Sequence, residues 1–234
     1  MTSFALRLLA LLTMVVDHAG LALFPRIGAF RCVGRLAFPL YCFLLTQGFA
    51  HTRDLRAYVR RLLLLAILSE IPFDLLIFAR VSSGMEQNVL FSLLLGLCAI
   101  WSADRYADDP NKAALGVLLT FMAAMVSRVS YGWLGIALCL AFYKFKDSRI
   151  KCALCILPIE ALYCASLAIS GVQTSWVLVS LCAMLAAVPV FLYNGKPGLR
   201  SKMVSFLFYA AYPLHIAALL IVRAMRIVPP YFLG

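Results

Sequence analysis

Apolar residues run along this chain in long blocks separated by short polar stretches. The blocks fall near residues 4–24, 33–50, 62–80, 88–103, 113–127, 131–144, 151–170, 174–193 and 204–225. A helix needs about 20 mostly apolar residues to cross a bilayer, a length that some blocks reach and others approach. The pattern predicts an all-α fold, a polytopic transmembrane helical bundle of about nine spans, with about eight or ten as neighbouring counts. The stretch 113–144 reads either as two short helices around Arg128–Ser130 or as a re-entrant pair. The strict alternation of a transmembrane barrel is missing.

Composition agrees: 64% of residues are apolar and 13% charged, against roughly 45–50% and 25% in soluble domains. A soluble chain of 234 residues could not cover that much apolar surface with a polar exterior. The links between blocks are too short for a soluble domain, so residues 1–234 read as one integral membrane domain. The first block carries Asp17 and His18, is as long as a full span and is followed by no small-residue cleavage site. No cleavable signal peptide is expected.

The net charge of +11 does not point to nucleic acid, because the basic residues sit in short links and form no stripe interleaved with exposed aromatics. If the spans alternate, one side carries Arg7, Arg53, Arg56, Arg60, Arg61, Arg105, Lys112, Lys144, Lys146, Arg149, Lys151, Lys196, Arg200 and Lys202. The other carries Arg26, Arg31, Arg35, Arg80, Arg128, Arg223 and Arg226. The positive-inside bias then puts the N-terminus in the cytoplasm and, with an odd number of spans, the C-terminus outside. The eight cysteines lie mostly within apolar blocks and read as small hydrophobes. Cys152 and Cys155 form a CxxC with no second pair, which gives no zinc or redox signature. His18, His51 and His215 share neither spacing nor depth, so no metal is expected.

An ionisable side chain at the centre of a span costs about 2.5–3.5 kcal/mol, so each one asks for a reason. Asp17 and His18 lie about 20 Å from the cytoplasmic end of the first span, in the outer half of the bilayer. Arg35 enters the second span from outside. Glu70 and Asp74 share one face of the third, with Pro72 between them. Gln87 and Asn88 open the fourth span, Tyr131 opens the sixth, and His215 lies near the middle of the last. Their similar depth predicts one inward polar cavity.

A purely architectural reading stands beside this one. Arg35 with Glu70 or Asp74 would form a buried ion pair that fixes packing. Pro39, Pro72 and Pro213 would be helix kinks whose freed backbone groups are met by neighbours. Asp17 and His18, adjacent on a helix, point about 100° apart. Asp17 therefore orients His18 only if the helix is distorted there, and otherwise is free to pair with Arg35.

Imidazole can be both uncharged and basic near neutrality. His18 could take a proton from an amine or hydroxyl attacking an acyl carbonyl, with an arginine or backbone donor stabilising the oxyanion. There is no G-x-S-x-G elbow and no H-E-x-x-H motif. The segment His51–Arg61 holds Arg53, Arg56, Arg60 and Arg61. These serve topology and attraction to anionic headgroups, or they clamp the phosphates of a cytoplasmic nucleotide-type donor.

The motifs Val16-Asp17-His18, Gly34-Arg35-Leu36-Ala37-Phe38-Pro39-Leu40, Gly48-Phe49-Ala50-His51-Thr52-Arg53 and Ser69-Glu70-Ile71-Pro72-Phe73-Asp74 occur in that order. Gln87-Asn88-Val89-Leu90-Phe91, Ser130-Tyr131-Gly132 and Phe208-Tyr209-Ala210-Ala211-Tyr212-Pro213-Leu214-His215 follow. Together they make the chain resemble, over residues 6–222, the TraX family of bacterial membrane proteins. That family is named for the protein that N-acetylates F-type conjugative pilin.

The resemblance implies a membrane-embedded acetyltransferase of the bacterial inner membrane, with acetyl-CoA as donor substrate and no metal. It places the acyl-transfer histidine on His18, with Asp17 or Arg35 orienting it and His215 as a second candidate. Arg53, Arg56, Arg60 and Arg61 would hold the CoA phosphates, and Glu70, Asp74, Asn88 and Tyr131 the acceptor. The acceptor itself is left open: a membrane or exported amine or hydroxyl, a pilin N-terminus among them. A donor in the cytoplasm would have to thread its pantetheine arm, roughly 15–20 Å when extended, most of the way to His18. A proton-coupled transporter using Asp17, Glu70 and Asp74 is the rival from another class, though no inverted repeat is visible. A non-catalytic scaffold for secretion or pilus assembly is the third.

Overall fold

The computed structural model describes residues 1–81 and 86–225, so Arg226 and the C-terminus lie outside the described residues. Among them the regular elements are helices, apart from an isolated bridge between Gln87 and Val129. In chain order these are α1 (Ser3–Leu23), α2 (Gly28–Arg35), α3 (Ala37–His51), α4 (Leu55–Phe78), α5 (Val89–Arg105) and α6 (Pro110–Ser127). They continue with α7 (Trp133–Lys144), α8 (Arg149–Ile169), α9 (Thr174–Leu181), a 3₁₀ turn (Cys182–Ala186), α10 (Ala187–Phe191) and α11 (Lys202–Ala224).

Every apolar block is therefore helical, and the stretch 113–144 is two helices, α6 and α7, joined by a turn. Among the described residues, six stretches are long and apolar enough to cross a membrane: α1, α2–α3, α6, α8, α9–α10 and the part of α11 from Met203 to Ala224. The other blocks fall on α4, α5 and α7. Helix α4 has 24 residues but includes Arg56, Arg60, Arg61, Glu70 and Asp74. Helices α5 and α7 have only 17 and 12 residues. The protein is an all-helical, multi-pass membrane protein. Among the described residues, length and apolarity single out six candidate crossing stretches, short of the count of about nine that the blocks suggest.

The apolar surface explains the architecture. Leu6, Leu40, Leu97, Ile100, Leu138, Phe142 and Ile156 are fully buried between helices. Leu68, Val126 and Ile169 are 69%, 79% and 88% exposed on the outside of α4, α6 and α8. Apolar side chains facing out at that level suit lipid and not water.

Polar caps fix the helix starts. Thr2, Asp54, Asp109, Ser148 and Ser201 accept from the backbone N–H groups of Ala5, Ala57, Lys112, Lys151 and Val204. Each satisfies a donor that the first turn leaves without a partner. Contacts between links then sort the helix ends. Ser3 and Phe4 bond to the carbonyls of Lys196 and Pro197, and Tyr143 at the end of α7 donates to Asp104 at the end of α5. At the opposite end Ser130 donates to Glu86 at 2.6 Å, beside the Gln87–Val129 bridge.

Two local expectations change. The arginine segment is not a loop: behind the Asp54 cap, Arg56, Arg60 and Arg61 occupy the first two turns of α4, and only Arg53 lies in the link. Pro39 falls in the first turn of α3, where its missing N–H costs nothing, whereas Pro72 and Pro213 lie inside α4 and α11.

Candidate functional site

Helices α1 and α2 form a tight hairpin, and its closeness is a matter of glycine. A Cβ at Gly34 would collide with the Asp17 carboxylate, and one at Gly20 with the Phe30 side chain. Because the hairpin turns just after Phe24, residue 31 comes back level with residue 17. Arg31 Nη1 lies 2.7 Å from Asp17 Oδ2, an ion pair whose side chains are only about 15% exposed. Arg31 also lies over the Trp176 ring, 5.6 Å from its centre.

One helical turn on, Arg35 reaches the other way. Its Nη1 donates to the Tyr131 hydroxyl at 2.9 Å. Tyr131 stacks on Phe38 with ring centres 4.0 Å apart and planes within 8°. Its backbone takes φ +63°, left-handed for a residue with a bulky side chain. Such strain persists where the surroundings over-determine a position, here the stack and the arginine.

His18 and His215 meet between α1 and α11. His18 Nδ1 lies 2.7 Å from His215 Nε2, and His215 Nδ1 lies 2.8 Å from the Ala211 carbonyl one turn earlier. Tyr212 sets its ring edge-on to both imidazoles. The pairing departs from the expectation that the histidines differ in depth. Each helix rises about 1.5 Å per residue, so His18 and His215 both lie roughly 20 Å from the starts of α1 and α11. His51 sits at the far end of α3, bonded to the Gln47 carbonyl.

These groups face one cavity of about 270 Å³. Asp17, His18, Arg31, Arg35, Glu86, Ser130, Tyr131, Tyr163 and Tyr212 supply its polar lining; Met14, Phe38 and Phe73 are among its apolar walls. An inward polar cavity is present, but Glu70, Asp74, Gln87 and Asn88, expected on it, do not line it. It gathers Asp17, His18, Arg35 and Tyr131, with His215 directly behind His18. Asp17 pairs with Arg31 and not Arg35, and His18 takes a different partner altogether, as the 100° offset of adjacent helical residues implies.

Glu70 and Asn88 belong to a neighbouring cluster. Asn88 is fully buried, caps α5, donates through its side chain to the Ala66 carbonyl at 2.8 Å, and donates to Glu70 from both backbone and side chain. Asp74 is buried on the same helix as Glu70. Arg53 lies elsewhere, in a groove of about 400 Å³ at the opposite end of the bundle, with Phe49, Trp101, Asp104, Tyr143 and Lys146. Arg56, Arg60 and Arg61 are exposed near that end.

Sequence reasoning treated Arg31 as a topology charge and gave no role to Glu86, Tyr163 or Tyr212. The symmetry of residues 17 and 31 about the α1–α2 turn was the available signal for Arg31. Glu160 was also missed; it is 1% exposed in α8, with a side-chain oxygen that has no partner.

A many-helix membrane protein with a polar cavity sunk into its apolar interior is the class that fold and site define. The model of the TraX protein family matches residues 3–223, and the chain belongs to the TraX family. It is 32% identical, over 93% of its length and 94% of the relative's, to a Dichelobacter nodosus protein described as "Probable fimbrial assembly protein FimC, serogroup H1". An uncharacterised protein of Rickettsia prowazekii (strain Madrid E) is 31% identical over 41% of this chain, which spans 35% of that relative. No solved structure matches.

Proposed function

We propose that this chain is a membrane-embedded acetyltransferase that moves acetyl from cytoplasmic acetyl-CoA to an amine or hydroxyl of a membrane or exported acceptor. The observation that carries the reading is His18, hydrogen-bonded to a second histidine and lining a cavity that also holds Arg31, Arg35 and Tyr131. His18 takes the proton of the acceptor as its nitrogen or oxygen attacks the thioester carbonyl. The carbon–sulfur bond then breaks, and the departing thiolate receives that proton and leaves as the free thiol. Arg35, braced by Tyr131, faces the negative charge that develops on the carbonyl oxygen.

At about 270 Å³ the cavity suits the acetyl-pantetheine end of the donor and not its nucleotide. Arg53 and Lys146, in the aromatic groove at the other end, are the groups that would take the phosphates. Between Tyr41 in the cavity and Phe49 in the groove, α3 rises only about 12 Å, within the roughly 15–20 Å reach of the arm. The excess of basic residues at the groove end supports placing that end and the N-terminus in the cytoplasm of a bacterial inner membrane. The relative's fimbrial-assembly name supports a pilin-type acceptor. A proton-coupled carrier is less well supported, because Asp17 is engaged by Arg31 and Glu70 by Asn88.

The test is labelled acetyl-CoA supplied to the purified protein in lipid with a membrane extract. Transfer of label to a component of the extract is expected. Protein that neither binds the donor nor transfers label would sink the enzyme reading.

A further inference from the structure

His215 does not line the cavity; it stands behind His18 and bonds to it. The two imidazole planes lie within 12° of each other with centres 5.0 Å apart. Rings whose nitrogens approach to 2.7 Å in that arrangement lie side by side, nearly in one plane. The proton between them therefore lies along the lone-pair direction of its acceptor, as a well-formed hydrogen bond requires.

The direction of that bond follows from the next one. A carbonyl oxygen only accepts, so the 2.8 Å contact to Ala211 requires the proton of neutral His215 to sit on Nδ1. Its Nε2 is then a lone pair. His18 Nδ1, 2.7 Å away, must be the donor. A neutral His18 that keeps its proton on Nδ1 has a bare Nε2, and His18, unlike the His215 to which its Nδ1 is bonded, lines the cavity.

We infer that His215 is a positioning residue that locks His18 in its Nδ1–H form, so that Nε2 is the basic nitrogen facing the cavity. The hydrogen bond made by one ring nitrogen decides where the proton sits on the other. Here the chain Ala211 carbonyl, His215, His18 makes that decision. A carboxylate fills the orienting role in serine-protease triads; here a neutral imidazole fills it, and Asp17, the adjacent residue, is left to Arg31. When Nε2 takes a proton, His18 becomes an imidazolium whose Nδ1–H still points at the His215 lone pair. No group needs to move for the charge to be met. Tyr212 lies edge-on to both rings, with centres 6.3 and 5.6 Å away.

The tautomer assignment stands on geometry alone, whereas the positioning role rests on the acyl-transfer reading, and the test separates them. Nitrogen-15 spectra of histidine-labelled protein in lipid bilayers, with His18 assigned by comparison with His18→Ala, report which ring nitrogen carries the proton. The native protein is expected to show neutral His18 protonated at Nδ1; protonation at Nε2 would overturn the inference. His215→Gln, whose amide oxygen can still accept from His18 Nδ1, is expected to keep that signature and much of the transfer. His215→Leu is expected to move the proton to Nε2 and cut kcat by about 100-fold or more, with KM for the donor nearly unchanged. Full transfer by His215→Leu would remove the positioning role and leave the enzyme. An Nδ1–H signature in native protein that transfers nothing would do the reverse. If His215→Leu fails to fold, the native spectrum decides the assignment and His215→Gln the role.

Discussion

Asp17 on α1 and Arg31 on α2 form an ion pair at 2.7 Å across the tight hairpin that opens the chain. Both are mostly buried, and Asp17 Oδ1 and Arg31 Nε have no partner of their own. Removing one partner leaves a lone charge in an apolar setting, which typically costs about 3–5 kcal/mol, whereas removing both costs far less. Asp17→Asn and Arg31→Gln should each lower the unfolding midpoint in detergent more than the double variant does. A double variant as unstable as the sum of the two would show that they act independently.

Glycine permits the same hairpin. At Gly34 an added methyl would run into the Asp17 side chain, while at Gly28 it would meet nothing within 4 Å. Gly34→Ala is therefore expected to destabilise by about 1–3 kcal/mol, the usual cost of overpacking, and Gly28→Ala to leave the thermal midpoint nearly unchanged. Thermal unfolding of the two variants side by side checks this.

Asn88 holds three things at once: the start of α5, the Ala66 carbonyl and Glu70. Asn88→Ala removes a helix cap and the side-chain donor to the Ala66 carbonyl and Glu70, leaving Glu70 only the backbone bond, for an expected loss of about 2 kcal/mol or more. Ser148→Ala, at an ordinary cap facing a link, should lose about 1 kcal/mol or less. Equal losses in denaturant titrations would mean that Asn88 is only a cap.

Tyr131→Phe keeps the stack on Phe38 but removes the hydroxyl that receives Arg35. A hydrogen bond to a charged group is worth about 1.5–3 kcal/mol. The variant should fold, with a lower midpoint, and should transfer acetyl more slowly if Arg35 faces the developing oxyanion. Unchanged kcat in a correctly folded variant would detach Arg35 from the chemistry.

Much of this was written in the chain. Lipid imposes the apolar blocks, so every one of them could be read as a helix. The cost of polar groups inside a membrane singled out Asp17, His18, Arg35 and Tyr131, which line one cavity, but equally Glu70, Asp74, Gln87 and Asn88, which do not. Pairing was harder. Asp17 with Arg31 follows from a short hairpin, but it emerges only once the turn after Phe24 is placed. His18 with His215 depends on how α11 lies against α1, a contact between residues 197 apart. No local spacing encodes it. The left-handed backbone at Tyr131, which aims its ring at Arg35, is likewise set by packing and not by propensity.

His18 is proposed as the reacting base of an acetyltransferase. The most direct measurement is the initial rate of labelled acetyl transfer by native protein, His18→Ala and His51→Ala, all in the same lipid and all shown to be folded. His51 lies at the opposite end of α3 and serves as the control. Transfer by native protein and by His51→Ala is expected, with a loss of about 100-fold or more in His18→Ala. Equal transfer by native protein and His18→Ala would contradict it.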